Sequence, residues 1–176
     1  MVRLALIATD LVVRDVEVSD AEQIVGILNP IIHARIHTVF CEPFSVEHER
    51  DYISAFPARG IWKVAVRQAD QRLVGFQVVE PFGSYTAAFD HVGTIGTYVD
   101  LALRRQGIAT ALFDETFKAA RAKGYEKFFT FVRADNADGL AAYRARGFEI
   151  IGTSRRHARI DGRYVDEILI EKSLTG

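Results

Sequence analysis

The chain has 176 residues, 49% of them apolar and 26% charged, a balance that suits one globular domain with a full core. Its 22 basic and 23 acidic residues leave a net charge of −1, which excludes a field that would draw the whole molecule onto nucleic acid or a membrane. A single cysteine, Cys41, excludes an intramolecular disulfide framework and fits a reducing compartment.

Residues 1–10, MVRLALIATD, hold one arginine and an apolar run shorter than a signal-peptide core, and no stretch reaches the length of a membrane span. A cytoplasmic protein is expected, one domain over residues 1–176 with 1–10 as an extra segment. Leu11–Glu17 reads as a strand. Ser19 and Glu22 form a capping box ahead of a helix to about Asn29. A second helix begins near Ser45, with Glu47 and Glu49 in its first turn, and stops before Pro57. Ile61–Arg67 and Leu73–Glu80 are two strands of a hairpin, and His91–Val99 is another strand after a loop. Ile108, Leu112, Phe113, Phe117 and Ala120 then recur at helical spacing, with Gly124 closing the helix. Lys127–Val132 is a short buried strand, and Asn136 to Arg146 a helix ended by Gly147. Phe148–His157 and Tyr164–Lys172 form a last hairpin around Asp161-Gly162. The order predicts an α/β chain with a mixed sheet.

Residues 104–109, RRQGIA, open the third helix on two arginines, a glutamine and a glycine. Glycine at a first turn weakens a helix unless something approaches the backbone, and the first amides of a helix attract anions. The Gly-Lys-Ser/Thr of a Walker loop is absent. A dinucleotide turn needs three spaced glycines, and only Gly107 with the small Ala109 is present. The remaining Arg104-x-x-Gly107-x-Ala109 fits a pyrophosphate held by turn amides, Arg104, Arg105 and the helix dipole. It equally fits a solvated basic turn. These six residues alone leave both open.

The segment VRADNADGLAAYRARGF (132–148) places Asn136 and Tyr143 seven residues apart, nearly on one helical face. Together the two segments resemble the GNAT superfamily of acetyl-CoA-dependent N-acetyltransferases. RRQGIA matches its cofactor loop, Arg/Gln-x-x-Gly-x-Gly/Ala, and Asn136…Tyr143…Gly147-Phe148 matches its second signature. Residues 28–53 are similar to the region between the first two helices of the phosphinothricin and L-amino-acid N-acyltransferase branch. Residues 161–174 look like that branch's terminal hairpin, so the resemblance covers 11–174.

The resemblance implies a largely antiparallel central sheet of six to seven strands, a splayed parallel pair at 91–99 and 127–132, and about four flanking helices. It implies acetyl-CoA as cosubstrate, the primary amine of a small molecule (an amino acid or analogue) as acceptor, and direct attack in a ternary complex. A homodimer is compatible with it; nucleic acid and membrane partners are not expected. Backbone groups of Thr97 and Val99 would bond the pantetheine arm, and an amide near Thr97 or Tyr98 would polarise the thioester. Arg104 and the amides of Arg105, Gln106, Gly107, Ile108 and Ala109 would hold the pyrophosphate. Asn136 would bond the pantetheine, and Tyr143 would protonate the departing thiolate.

The chain departs from the branch at its base. Thr94 stands where the branch has a glutamate, and Tyr164-Val165-Asp166 replaces a Trp-His-Asp pattern. Phosphinothricin is therefore not the expected acceptor. Substitute bases are Glu80, Asp90, His91 and the Asp166-Glu167 pair. His33 and His37 stand four apart but lack a third ligand, so no metal is expected; they equally fit plain surface histidines and the lining of an acceptor pocket walled by Phe40 and Phe44. Arg133 or Arg144 would assist the 3′-phosphate of CoA. Two other readings compete with the small-molecule enzyme: a CoA-binding module without turnover, favoured by Thr94, and a peptide acetyltransferase.

Overall fold

The structure is a computed structural model that describes residues 10–175. Of the expected N-terminal segment, residues 1–9 lie outside the described residues. Seven strands form one sheet: β1 (Leu11–Asp15), β2 (Ile61–Arg67), β3 (Arg72–Pro81), β4 (Val92–Val99), β5 (Lys127–Arg133), β6 (Glu149–Ile160) and β7 (Arg163–Ser173). Their order across the sheet is β1-β2-β3-β4-β5-β7-β6. Every neighbouring pair is antiparallel except β4 and β5. Four helices flank it: α1 (Ala21–His33), α2 (Val46–Ser54), α3 (Ile108–Ala122) and α4 (Ala137–Ala145). The architecture is the mixed α/β sheet with a parallel pair that the resemblance implied.

Alternation along the strands sends side chains to two cores. On one face Ile24, Leu28 and Ile31 of α1 and Ile53 of α2 bury against Trp62, Val64 and Phe76. On the other, Ile108 and Leu112 of α3 meet Ala65 and Val74, while Phe113, Phe117 and Tyr143 meet Val79, Ile95 and Phe128. Gly124 and Gly147, both at positive φ, end α3 and α4 as expected. Asp161 and Gly162, at φ 49° and 78°, make the tight turn between β6 and β7.

Several boundaries differ from the sequence reading; β6 runs on to Ile160, past the expected His157, and the start of the chain shows three further differences. β1 ends at Asp15, because the chain turns there into a short 3₁₀ segment, Val18–Asp20. The capping box spans Glu17 and Asp20 instead of Ser19 and Glu22: each side chain takes the other's backbone amide, and Arg14 forks onto the Asp20 carboxylate at 2.7 and 2.8 Å. α1 runs past Asn29 to His33 with Pro30 inside it. A proline there forfeits one helical hydrogen bond, but Ile27, Leu28, Ile31 and Ile32 around it are all buried, and that burial outweighs the loss.

β4 and β5 pair over only three register positions, Val92 with Lys127, Gly93 with Phe128 and Thr94 with Phe129. Past Thr94 the strands part. Gly93 permits the close seam, since a Cβ there would lie 2.8 Å from Val79 and 3.2 Å from Phe128.

Candidate active site

Hydrogen bonds at both ends of β4 fix which way its backbone faces. Phe82 N donates to Val92 O at 3.1 Å and Asp100 N to Val74 O at 3.0 Å, so the even-numbered residues bond β3. The odd-numbered residues turn the other way, as Lys127 N donating to His91 O confirms. Ile95, Thr97 and Val99 therefore present amides and carbonyls to the gap where β5 has departed. A strand edge left open inside a fold is a template for an extended ligand. Of Thr97 and Tyr98, it is the Thr97 amide that faces the gap.

Tyr143 reaches into this notch from α4. Its ring is 8% exposed and packs edge-on against Phe113 and Phe148. Its hydroxyl lies 3.0 Å from Thr97 Oγ1 and donates to Ile95 O at 3.4 Å. Thr97 Oγ1 in turn accepts from Gln77 Nε2 at 2.8 Å. Burial pushes the Tyr143 pKa up to about 12 against the lowering effect of the Thr97 hydrogen bonds, so the phenol is protonated at neutral pH. Asn136 caps α4 by accepting from Gly139 N at 3.0 Å, and its amide donates to His37 O at 3.3 Å.

The turn at 104–107 ends at Gly107, whose φ of 83° is left-handed, and no side chain caps α3. The first amides of that helix are thus left for something else. Arg104 stands beside them with its Nη1 3.1 Å from His37 Nε2. Burial lowers the Arg104 pKa, and the Asp138 charge is what acts against it. Burial and the Arg104 charge together hold His37 below its usual range, so His37 is neutral at pH 7. A half-buried arginine paired with a neutral imidazole, next to an uncapped helix start, is a site for an anion.

Two cavities meet at the notch. One, of about 380 Å³, takes in Thr97, Tyr98, Val99, Arg104, Arg105, Gly107, Ile108, Ala109, Asn136 and Tyr143. The other, of about 350 Å³, lies against α2 and is walled by Phe40, Phe44, Tyr52, Trp62 and Phe76, with Glu49 and Glu80 on its lining. His37, Thr97, Tyr98, Asn136 and Tyr143 line both.

Ten of the eleven site residues expected from sequence are thus brought together. Gln106 is not on either lining, and its buried Oε1 has no partner among the described residues. Asn136 reaches the notch, but with both ends of its side chain already bonded within the protein. Among the substitute bases, Asp90 is paired with Arg59 on the surface, His91 is exposed, and Asp166 accepts from Arg156 N at 2.6 Å. Glu167 is 1% exposed and off both linings. Glu80 is the one that faces a cavity, and β3–β4 register sets it opposite Thr94. His33 ends α1 while His37 lies in the loop beyond, so the two do not share a helical face. Arg144 is exposed and off both linings; Arg133 is buried, forked onto Asp135 and donating to Thr38 O.

Glu49, Tyr52 and Gln77 were missed. Glu49 had a signal, for it falls with Val46 and Ile53 on the inward stripe of α2. A glutamate in an apolar stripe is worth attention.

Residues 32–148 match the model of the acetyltransferase (GNAT) family. The chain belongs to the GNAT family of acetyltransferases. Both motifs, RRQGIA and Asn136…Tyr143, fall within the matched span. An L-amino acid N-acetyltransferase of Escherichia coli K12 is 29% identical over 161 residues, covering 90% of this chain and 94% of the relative. A phosphinothricin N-acetyltransferase of Streptomyces coelicolor is 25% identical over 157 residues, covering 88% and 91%. Among solved structures, a GNAT superfamily phosphinothricin acetyltransferase of Sinorhizobium meliloti in complex with AcCoA shares the fold at a TM-score of 0.85. Its sequence identity is 20%, with 94% of this chain and 89% of that one covered.

Proposed function

We propose that this GNAT acetyltransferase works as one domain that moves an acetyl group from acetyl-CoA, held in the α3–α4 cavity, to the primary amine of a small molecule in the α2 cavity. The observation that carries the reading is the meeting of the two cavities at Tyr143 and Thr97. The residues fit the cosubstrate. The open edge of β4 offers alternate backbone groups to an amide-bearing arm, and the uncapped α3 start with Arg104 and Arg105 suits a pyrophosphate. The named relatives act on amino acids and phosphinothricin, which supports a small amine as acceptor.

In this reading the neutral amine attacks the thioester carbonyl while the Thr97 amide receives the developing oxyanion. Glu80 takes the proton that the nitrogen loses, directly or through one water. As the carbon–sulfur bond breaks, the Tyr143 hydroxyl gives its proton to the sulfur, and the phenolate recovers one from solvent. Release of free thiol from acetyl-CoA across a panel of amines, amino acids and peptides tests the reading. Turnover with small primary amines is expected; thiol release with none of the panel, from a protein that binds acetyl-CoA, favours the binding module, and release with peptides alone favours the peptide enzyme.

A further inference from the structure

The cavity against α2 holds two carboxyl groups, those of Glu49 and Glu80, that no basic residue on its lining is free to pair. Glu49 is 3% exposed and lines it. Burial raises the Glu49 pKa, and the one charge that acts against the rise is the neighbouring His48. Glu80 lines the same space against the Tyr52 hydroxyl, and both carboxylates are close enough to raise the pKa of Tyr52 and of Tyr98. Two basic residues share the lining, and neither is free for these carboxylates. Arg133 is forked onto Asp135 at 2.9 and 2.7 Å and gives its remaining arm to Thr38 O. His37 is held neutral by burial and Arg104.

Around the carboxylates the walls are aromatic and continuous. Phe40 stacks on Tyr98, Tyr98 on Phe76 at 4.8 Å, Phe76 meets Trp62 at 6.2 Å and Trp62 meets Tyr52 at 5.4 Å. A carboxylate in such surroundings is costly until a cation faces it, and aromatic faces attract cations in their own right. The reacting amine cannot serve both acids, because it must be neutral at the moment of attack. Glu80 lies on β3 opposite Thr94 of β4, and Glu49 enters the same cavity from a different element, α2.

We infer that the acceptor carries a second cationic group, an ammonium or guanidinium on an apolar spacer, which Glu49 receives between the Tyr52, Trp62 and Tyr98 rings. The inference rests on the reading of this cavity as the acceptor site. It narrows the substrate class from small amines to diamines and their relatives. Dicarboxylic amino acids are disfavoured, since their extra carboxylate would meet Glu49.

Calorimetry on the CoA-saturated protein with 1,5-diaminopentane, n-pentylamine and glutamate tests the site without requiring turnover. The diamine should bind at least roughly tenfold more tightly than the monoamine, with glutamate weakest. Glu49→Gln should abolish the diamine's advantage and Glu49→Asp keep part of it, with melting curves checking that each variant is folded. Equal binding of diamine and monoamine by the wild-type protein, or tightest binding of glutamate, overturns the inference whatever the variants do. Thiol release separates the two levels. Selective diamine binding without turnover of any amine keeps the subsite and defeats the transferase reading; turnover of amines without diamine preference does the reverse.

Discussion

At the scale of single residues the proposed chemistry turns on which way one proton points. Gln77 Nε2 donates to Thr97 Oγ1, so the Thr97 hydroxyl is free to donate onward to Tyr143. The Tyr143 proton is then directed at Ile95 O, on the gap side of β4. Tyr143→Phe keeps the ring among Phe113 and Phe148 and deletes only the donor. Its kcat should fall by about 10²- to 10⁴-fold, nearer the lower end because a thiolate leaves easily, with acetyl-CoA affinity and melting temperature almost unchanged. An unaltered kcat with chemistry rate-limiting would remove the acid role. With a pKa of about 12 the phenol stays protonated through the working range, so no loss of rate from Tyr143 ionisation is expected below roughly pH 11. The Thr97 hydrogen bonds lower that pKa, so Thr97→Val should make Tyr143 a weaker acid and slow turnover by about five- to tenfold. Thr97→Ser should restore the rate, and failure to do so would mean that packing and not the hydroxyl is what matters. Tyr143, Asn136 and RRQGIA were legible in sequence because each belongs to a local, spaced motif. Gln77 was not, because its place is set by burial against a neighbouring strand, and Glu49 showed only as a glutamate on the inward stripe of α2.

At the scale of elements, the start of α1 shows how a correct local rule can select the wrong residues. Ser19-x-x-Glu22 and Glu17-x-x-Asp20 overlap, and both have the form of a box of side chains around a helix start. The second wins because Arg14, on β1, forks onto the Asp20 carboxylate, leaving Ser19 Oγ on the surface 3.4 Å from Glu17. The deciding contact links a strand to a turn, and no window along the sequence contains that information. Burial raises the pKa of Asp20, but Arg14 and the Glu17 amide outweigh it, and the carboxyl titrates below its usual value. A carboxyl with a depressed native pKa contributes stability that is present above its unfolded pKa, near 4, and is lost as pH falls through the native value. Asp20→Ala should cost about 1–3 kcal/mol at pH 7, since it strands a half-buried arginine and frees a backbone amide. In urea titrations the gap between variant and wild type should narrow progressively as the pH falls below the ordinary carboxyl range. A gap that stays constant with pH would mean that the contribution is not electrostatic. Five of the strands, β2, β3, β4, β5 and β7, were read to within one residue at each end, because their apolar runs and the Asp161-Gly162 turn are local.

At the scale of the whole molecule, the sheet is two hydrogen-bonded ladders, β1–β4 and β5–β7–β6, joined through three register pairs. The resemblance to a known family made that splay expected; the sequence pattern of β4 and β5 alone does not mark where they part. A ligand lying along Ile95, Thr97 and Val99 would supply what β5 withholds, and it would tie both ladders to the N-terminus of α3. Acetyl-CoA should therefore stabilise the fold as a unit. At about a hundred times its dissociation constant it should add roughly 2.7 kcal/mol, or about 5–10 °C in melting temperature for a chain of this size. Gly107→Val should abolish most of that shift. Gly107 is at φ 83°, where a β-branched residue is strained, and its side chain would crowd the amides proposed to receive the pyrophosphate. The unliganded variant should still melt cooperatively, because Gly107 is exposed and lies outside both cores. The comparison is differential scanning of wild type and variant, each with and without acetyl-CoA. A full ligand-induced shift in Gly107→Val would mean that the cosubstrate is held without this turn, and the pyrophosphate would have to be sought away from α3.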